Sequence, residues 1–171
     1  MSSDKHKWES QFEMTYEQEY RWKYTEWVHL IREMEKQLGK EKAHDIVRKT
    51  RDNFQTDRYK KIFTQRKPVE SFQEYLNYSR ESRNTPLMSK TRTTSNLVET
   101  SEELSYHTDE CLWAKTFKEL GAEDIGELLC EGAFHQVSCV SPHLRFHRSM
   151  TLMKGDPYCN YRYTWEEDKD A

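Results

Sequence analysis

Four cysteines, at positions 111, 130, 139 and 159, all fall in the last third of a 171-residue chain. A thiolate is both a nucleophile and a metal ligand, so this clustering is where chemistry is first sought. Cys111 follows Thr108-Asp109-Glu110 at the expected start of a helix, where unpaired amides and the helix dipole favour a thiolate. The acidic pair Asp109 and Glu110 works against that. The plainer use of Cys111 is as a small hydrophobe under a sheet. Cys130, Glu131 and His135 fall on one expected helix, where Glu131 is either a buried acid/base group or a solvated carboxylate. His135, Cys139 and His143 recur every four residues, a spacing that can put two metal ligands on one helical face. Pro142 should end the helix before His143 joins them, and no Cys-x-x-Cys pair is present, so no metal is assigned.

The densest polar set is Arg148, Thr151, Asp156, Cys159, Asn160 and Arg162. Arg148 and Arg162 can present guanidinium forks to a carboxylate, or they can be solvated strand arginines. Strand alternation puts Cys159, Tyr161 and Tyr163 on one face and Asn160 and Arg162 on the other. Asp156 is expected to shape a turn through neighbouring backbone. No Gly-rich phosphate loop, Ser-His-Asp order or nucleotide fingerprint is present.

These residues need elements to hold them. Apolar or aromatic residues at Tyr20, Tyr24, Trp27, Ile31, Met34 and Leu38 repeat by threes and fours, which predicts a helix with one buried stripe. Thr15 with Gln18 forms a capping-box signature and Gly39 a stop. A second helix is expected from Lys40 to about Tyr59, with Ala43, Ile46, Val47 and Phe54 inward. A third is expected from Val69 to Ser82, with Phe72, Tyr75 and Leu76 inward. Residues 83–95 read as a loop. Period-two patterning around Leu97-Val98-Glu99 and Leu104-Ser105-Tyr106 predicts a hairpin. Helices over Cys111–Leu120 and Ala122–Val140 follow, and then a second hairpin. Its strands are expected from Leu144 to Leu152 and from Tyr158 to Trp165, ahead of a polar tail at 166–171. The expected fold is α+β: three helices, hairpin, two helices and hairpin, with the hairpins joined in a four-stranded antiparallel sheet.

Composition narrows the setting. Charged residues make up 33% and hydrophobic residues 35%, but 13% aromatics are too many for a disordered chain. One domain over 1–171 is expected, with a helical part at 15–82 and an α+β part at 95–165. A net charge of −3 argues against nucleic acid as partner. No apolar run suits a membrane span or leader, so a cytoplasmic protein with reduced thiols is expected. A thin core beside an aromatic first helix suggests a homo-oligomer.

Two runs resemble the L-2-amino-thiazoline-4-carboxylic acid hydrolase family. One is Cys111-Leu-Trp-Ala-Lys-Thr-Phe-Lys-Glu-Leu-Gly121 with Leu128-Leu129-Cys130-Glu131. The other is Arg148-Ser-Met-Thr151-Leu152 leading to Gly155-Asp156-Pro-Tyr-Cys159-Asn-Tyr-Arg162-Tyr. The resemblance covers about 95–165. It implies opening of a small cyclic C–N/C–S compound such as 2-amino-thiazoline-4-carboxylate. Cys111 or Cys159 would attack, Glu131 or His135 would shuttle the proton, and Arg148 would hold the carboxylate with Cys130 and Asn160 nearby. It implies no cofactor, and an architecture similar to vinyl-reductase and haem nitric-oxide-binding domains. Asn160 stands where the family usually has an acid. A rival from another class is a non-catalytic sensor binding a small ligand, haem or metal, with His135, His143 or His147 as ligand.

Overall fold

The structure is a computed structural model that describes residues 14–65, 67 and 69–166. The expected tail lies almost wholly outside the described residues. In chain order the elements are α1 (Tyr16–Leu38), α2 (Lys40–Gln65), α3 (Phe72–Arg83), α4 (Pro86–Thr91), β1 (Arg92–Glu99) and β2 (Glu103–Cys111). There follow α5 (Leu112–Glu119), α6 (Glu123–Cys130), α7 (Gly132–Val140), β3 (Leu144–His147), a 3-10 turn (Leu152–Lys154) and β4 (Cys159–Trp165). The four strands form one antiparallel sheet in the order β1-β2-β4-β3. The fold is α+β, as the patterning predicts.

Local chemistry explains the boundaries. The N-cap Thr15 and Gln18 exchange side-chain and backbone hydrogen bonds, and α1 ends at Gly39 with φ 81°. The α1 stripe is covered within the chain: Tyr24 packs edge-on against Trp113 at 4.5 Å and also meets Phe117. Leu38 at the end of the stripe stays exposed.

Five boundaries depart from expectation. The third helix starts at Phe72, with Ser71 as its N-cap, and not at Val69. The second helix continues to Gln65. Within the expected loop at 83–95, Thr85 accepts the Met88 amide and Pro86 takes the first helical position, making α4; β1 then starts at Arg92. The long helix over 122–140 is two helices. Glu131 N–H still bonds Glu127, but the Phe134 amide bonds Glu131 with a three-residue step, and a new helix starts at Gly132. Finally β3 stops at His147, because the amides of Ser149 and Met150 donate to the Asn160 side chain (3.0 and 2.7 Å) instead of continuing the ladder. Asp156 then accepts the Thr151 amide at 2.7 Å and closes the 3-10 turn over Gly155.

Two apolar clusters result. One joins α3, α7 and the sheet through Phe72, Tyr75, Leu76, Leu104, Val140 and Tyr163. The other joins α1, α2, α5 and α6 through Tyr24, Ile31, Val47, Phe117, Ile125 and Leu128. Helices α5 and α6 approach closely at Gly126, where a Cβ would lie 2.7 Å from Phe117 Cγ and from Met153 Sδ. Residues of both clusters, Tyr75, Val140 and Tyr163 from the first and Leu129 and Met153 from the second, line a single cavity.

Candidate active site

That cavity has a volume of about 310 Å3, the low end for small-molecule sites. Its walls come from α2, α3, α5, α6 and α7, from the sheet including Arg92 of β1, and from the segment between β3 and β4. Three thiols reach it: Cys111 at the end of β2, Cys130 at the end of α6 and Cys159 at the start of β4. Arg148 reaches it too. Strand register explains part of this meeting, since Thr108 pairs with Cys159 and Tyr106 with Tyr161, which puts Tyr106, Cys159 and Tyr161 on the walls.

Each thiol has a different setting. Cys111 occupies the N-cap of α5, and its side chain makes no cap bond. Cys159 Sγ accepts the Leu152 amide at 3.3 Å and donates to Thr151 Oγ1 at 3.6 Å, which fixes its direction. Cys130 is half-buried, and its desolvation pushes the thiol up to about 11 against the pull of Arg148. At neutral pH Cys130 is a neutral thiol.

Arg148 lies over a cage of rings, 5.4 Å from the Phe134 centroid, 5.8 Å from Tyr161 and 6.0 Å from Phe146. Its Nη2 donates to the Cys130 carbonyl at 3.4 Å. Burial works against its charge, yet Tyr161 and Cys130 facing it hold the pKa above its usual value. The cation is permanent and has no carboxylate partner among the described residues.

Other expected site residues lie elsewhere. Glu131 pairs with Arg48 at 3.0 Å in a half-exposed salt bridge. His135 shares a hydrogen bond with Thr56 Oγ1 (2.8 Å), and the same hydroxyl lies 4.0 Å from Cys139 Sγ. Neither Glu131 nor His135 lines the cavity. Asn160 clamps the chain after β3, and Arg162 pairs with Glu103 at 2.7 Å on the outer face. His143 packs near Trp165 and His147 is exposed on β3; neither lines the cavity. Among the described residues, the trio with ligand atoms close enough to share a metal is Glu35, His44 and Asp124, already engaged by Arg32 and Lys40.

The sequence reading missed Arg51, Gln55 and Arg92, all on the cavity wall. A signal existed for two of them. The buried residues of α2 step by four through Ala43, Val47, Gln55 and Tyr59, and Arg51 fills the gap in that series. Arg92 sat in a stretch read as loop and so had no assigned face.

The fold and site define an α+β domain with a small, cationic, thiol-lined cavity. The family model of L-2-amino-thiazoline-4-carboxylic acid hydrolase matches residues 16–163, and the chain belongs to that family. The match includes the N-terminal helices, beyond the segments whose motifs carry the resemblance. No match was found among curated proteins. Among solved structures, a trafficking protein particle complex subunit 3 from Naegleria fowleri, covalently bound to palmitic acid, superposes with TM-score 0.49 and 11% identity over 87% of this chain and 96% of its own. The phenol-responsive sensory domain of the transcription activator PoxR gives TM-score 0.49 and 12% identity over 84% and 75%. Neither likeness bears on the chemistry here.

Proposed function

We propose that the chain hydrolyses a small, carboxylate-bearing cyclic isothiourea such as L-2-amino-thiazoline-4-carboxylate inside this cavity. One observation carries the reading: three thiols and an acid-free arginine share the same 310 Å3 space. The family supplies the substrate class. Arg148 holds the carboxylate through its planar fork. Cys111 or Cys159 supplies the nucleophile, because Cys130 stays protonated.

The thiol adds across the C=N bond: sulfur bonds the amidine carbon and the thiol proton passes to nitrogen. Collapse of that adduct expels the ring nitrogen as amine or the ring sulfur as thiol, leaving an amidine carbon bonded to the enzyme's sulfur. Water adds there, the carbon–sulfur bond breaks, and the proton of water restores the thiol. The net reaction consumes one water. With Glu131 and His135 engaged outside the cavity, the thiol itself carries the proton in the first step.

A second reading has one observation in its favour. Among the described residues, no carboxylate or imidazole lines the cavity, which suits a site that binds without turnover. Haem or metal ligation fits the cavity less well, since His135, His143 and His147 do not line it. Metal-free protein, its Cys111→Ser and Cys159→Ser variants, and 2-amino-thiazoline-4-carboxylate in 18O-water decide between these readings. Turnover that incorporates one 18O and is lost in one folded variant supports the thiol hydrolase. Full turnover in both folded variants contradicts the thiol mechanism. Binding of the intact ring with no product supports the sensor.

A further inference from the structure

The cavity carries more positive charge than one carboxylate can use. Five arginines line it: Arg51, Arg58, Arg83, Arg92 and Arg148. Arg83 is paired with Glu99 at 3.1 Å, and Arg58 is exposed. The other three form no salt bridge among the described residues, and no Asp or Glu lines the wall. Leaving three guanidinium groups in a partly dry space without a counter-charge is costly. A cost of that kind at a ligand-sized cavity points to an anionic occupant.

The three cations share one neighbour, Cys130. Arg92 and Arg148 both lie within electrostatic reach of Tyr161 and Cys130. Arg51 comes from α2, packs against Gly132 and is within electrostatic reach of Cys130. Its Nε is fully covered and has no hydrogen-bond partner. One turn along α2, the buried Gln55 Oε1 also has none. A buried donor and a buried acceptor left empty one helical turn apart are complementary to something absent from the chain itself.

We propose that the cavity is built for a small organic dianion, with one anionic group on Arg92 and Arg148, the second on Arg51, and a ligand N–H donated to Gln55. This deepens the reading of the cavity as the substrate site and rests on it. The preferred substrate is then a nitrogen-containing ring or chain with two acidic groups about the Cys130 thiol. A monocarboxylate ring would leave Arg51 empty.

The test uses the unmutated protein and simple probes: N-carbamoyl-aspartate, its mono-amide N-carbamoyl-asparagine, and inorganic phosphate, each titrated by calorimetry at fixed ionic strength. The proposal predicts at least tenfold tighter binding of the dicarboxylate than of the mono-amide. Arg51→Gln should remove that preference while leaving mono-amide affinity within about twofold. Phosphate binding as tight as the dicarboxylate would overturn the two-group arrangement, since one compact anion does not need separate partners. Equal affinity for dicarboxylate and mono-amide in the unmutated protein would overturn the proposal, without bearing on whether the cavity hydrolyses a ring. Conversely, absent turnover with the dicarboxylate preference intact would overturn the hydrolase reading alone.

Discussion

Arg32 and Arg148 are both partly covered arginines, and the chain treats them in opposite ways. Arg32 on α1 sends both Nη atoms to Asp124 at 2.7 and 3.0 Å and one of them to Glu35 at 2.9 Å. Lys40 and His44 complete that cluster, at 3.0 Å from Asp124 and 2.6 Å from Glu35. Every charge there has an opposite at hand, and the cluster ties α1 and α2 to the start of α6. Around the cavity Arg51, Arg92 and Arg148 have rings, thiols and a carbonyl for company and no acid among the described residues. Paired charge fixes a structure; unpaired buried charge keeps a place for a ligand. Two sites built from the same residue type thus serve different ends, and partners, more than burial, separate them.

The comparison predicts where substitutions will be felt. The largest effect belongs to Arg148→Gln. Loss of a charge-assisted bond to a carboxylate is worth about 2–3 kcal/mol, so kcat/KM should fall roughly 100-fold with the unfolding temperature little changed. An unchanged kcat/KM in steady-state assays would remove Arg148 from the site. Comparable in size is the reactivity of Cys130. Raising a thiol from 9.0 to about 11 leaves roughly a hundredth of the thiolate at neutral pH. Iodoacetamide at pH 7.5, read by peptide mass mapping, should therefore label Cys130 last among the cavity thiols. The sign for stability follows. The unfolded chain loses this proton before the folded one, so the contribution of Cys130 falls as pH rises from about 9 toward 11.

A smaller effect is expected in the paired cluster. Arg32 and then Lys40 hold the Asp124 carboxyl well below the usual carboxylate range. Its contribution is present above about pH 4 and is lost as pH falls below that. The pair is partly exposed, so Asp124→Asn should cost about 1 kcal/mol, near 2–4 °C in unfolding temperature at pH 7, with kcat/KM intact. The difference from the unmutated protein should close on acidification. The smallest effect belongs to Arg51→Gln, which removes an unpaired buried charge. Without ligand it should leave stability unchanged or raise it by up to about 1 kcal/mol in urea titration, the reverse of Asp124→Asn.

Which of these features the sequence displays depends on how local their causes are. The capping box at Thr15 and Gln18 and the Gly39 stop are local, and α1 begins and ends where they say. The inward face of α3, with Phe72, Tyr75 and Leu76, is legible from spacing alone. On α2 the apolar residues mislead. Phe54 is 56% exposed and Ile46 38%, while Arg51 and Gln55 take inward positions, because the cavity wants polar groups on that face. A functional wall breaks the rule that apolar residues mark the inside. Helix α4 was readable from Thr85-Pro86 but was outweighed by its polar surroundings. The early end of β3 depends on a contact with Asn160, many positions away, and no local pattern announces it.

The central claim is that the acid-free arginines, and not the paired ones, hold the substrate. Thermal unfolding of the unmutated protein, Arg148→Gln and Asp124→Asn, each titrated with L-2-amino-thiazoline-4-carboxylate, tests it most directly. Ligand that binds only the folded state raises the unfolding temperature with concentration. The account predicts a full ligand-induced rise in the unmutated protein and in Asp124→Asn, from a lower start in the latter, and no rise in Arg148→Gln. An equal rise in Arg148→Gln would place the ligand elsewhere and contradict the account.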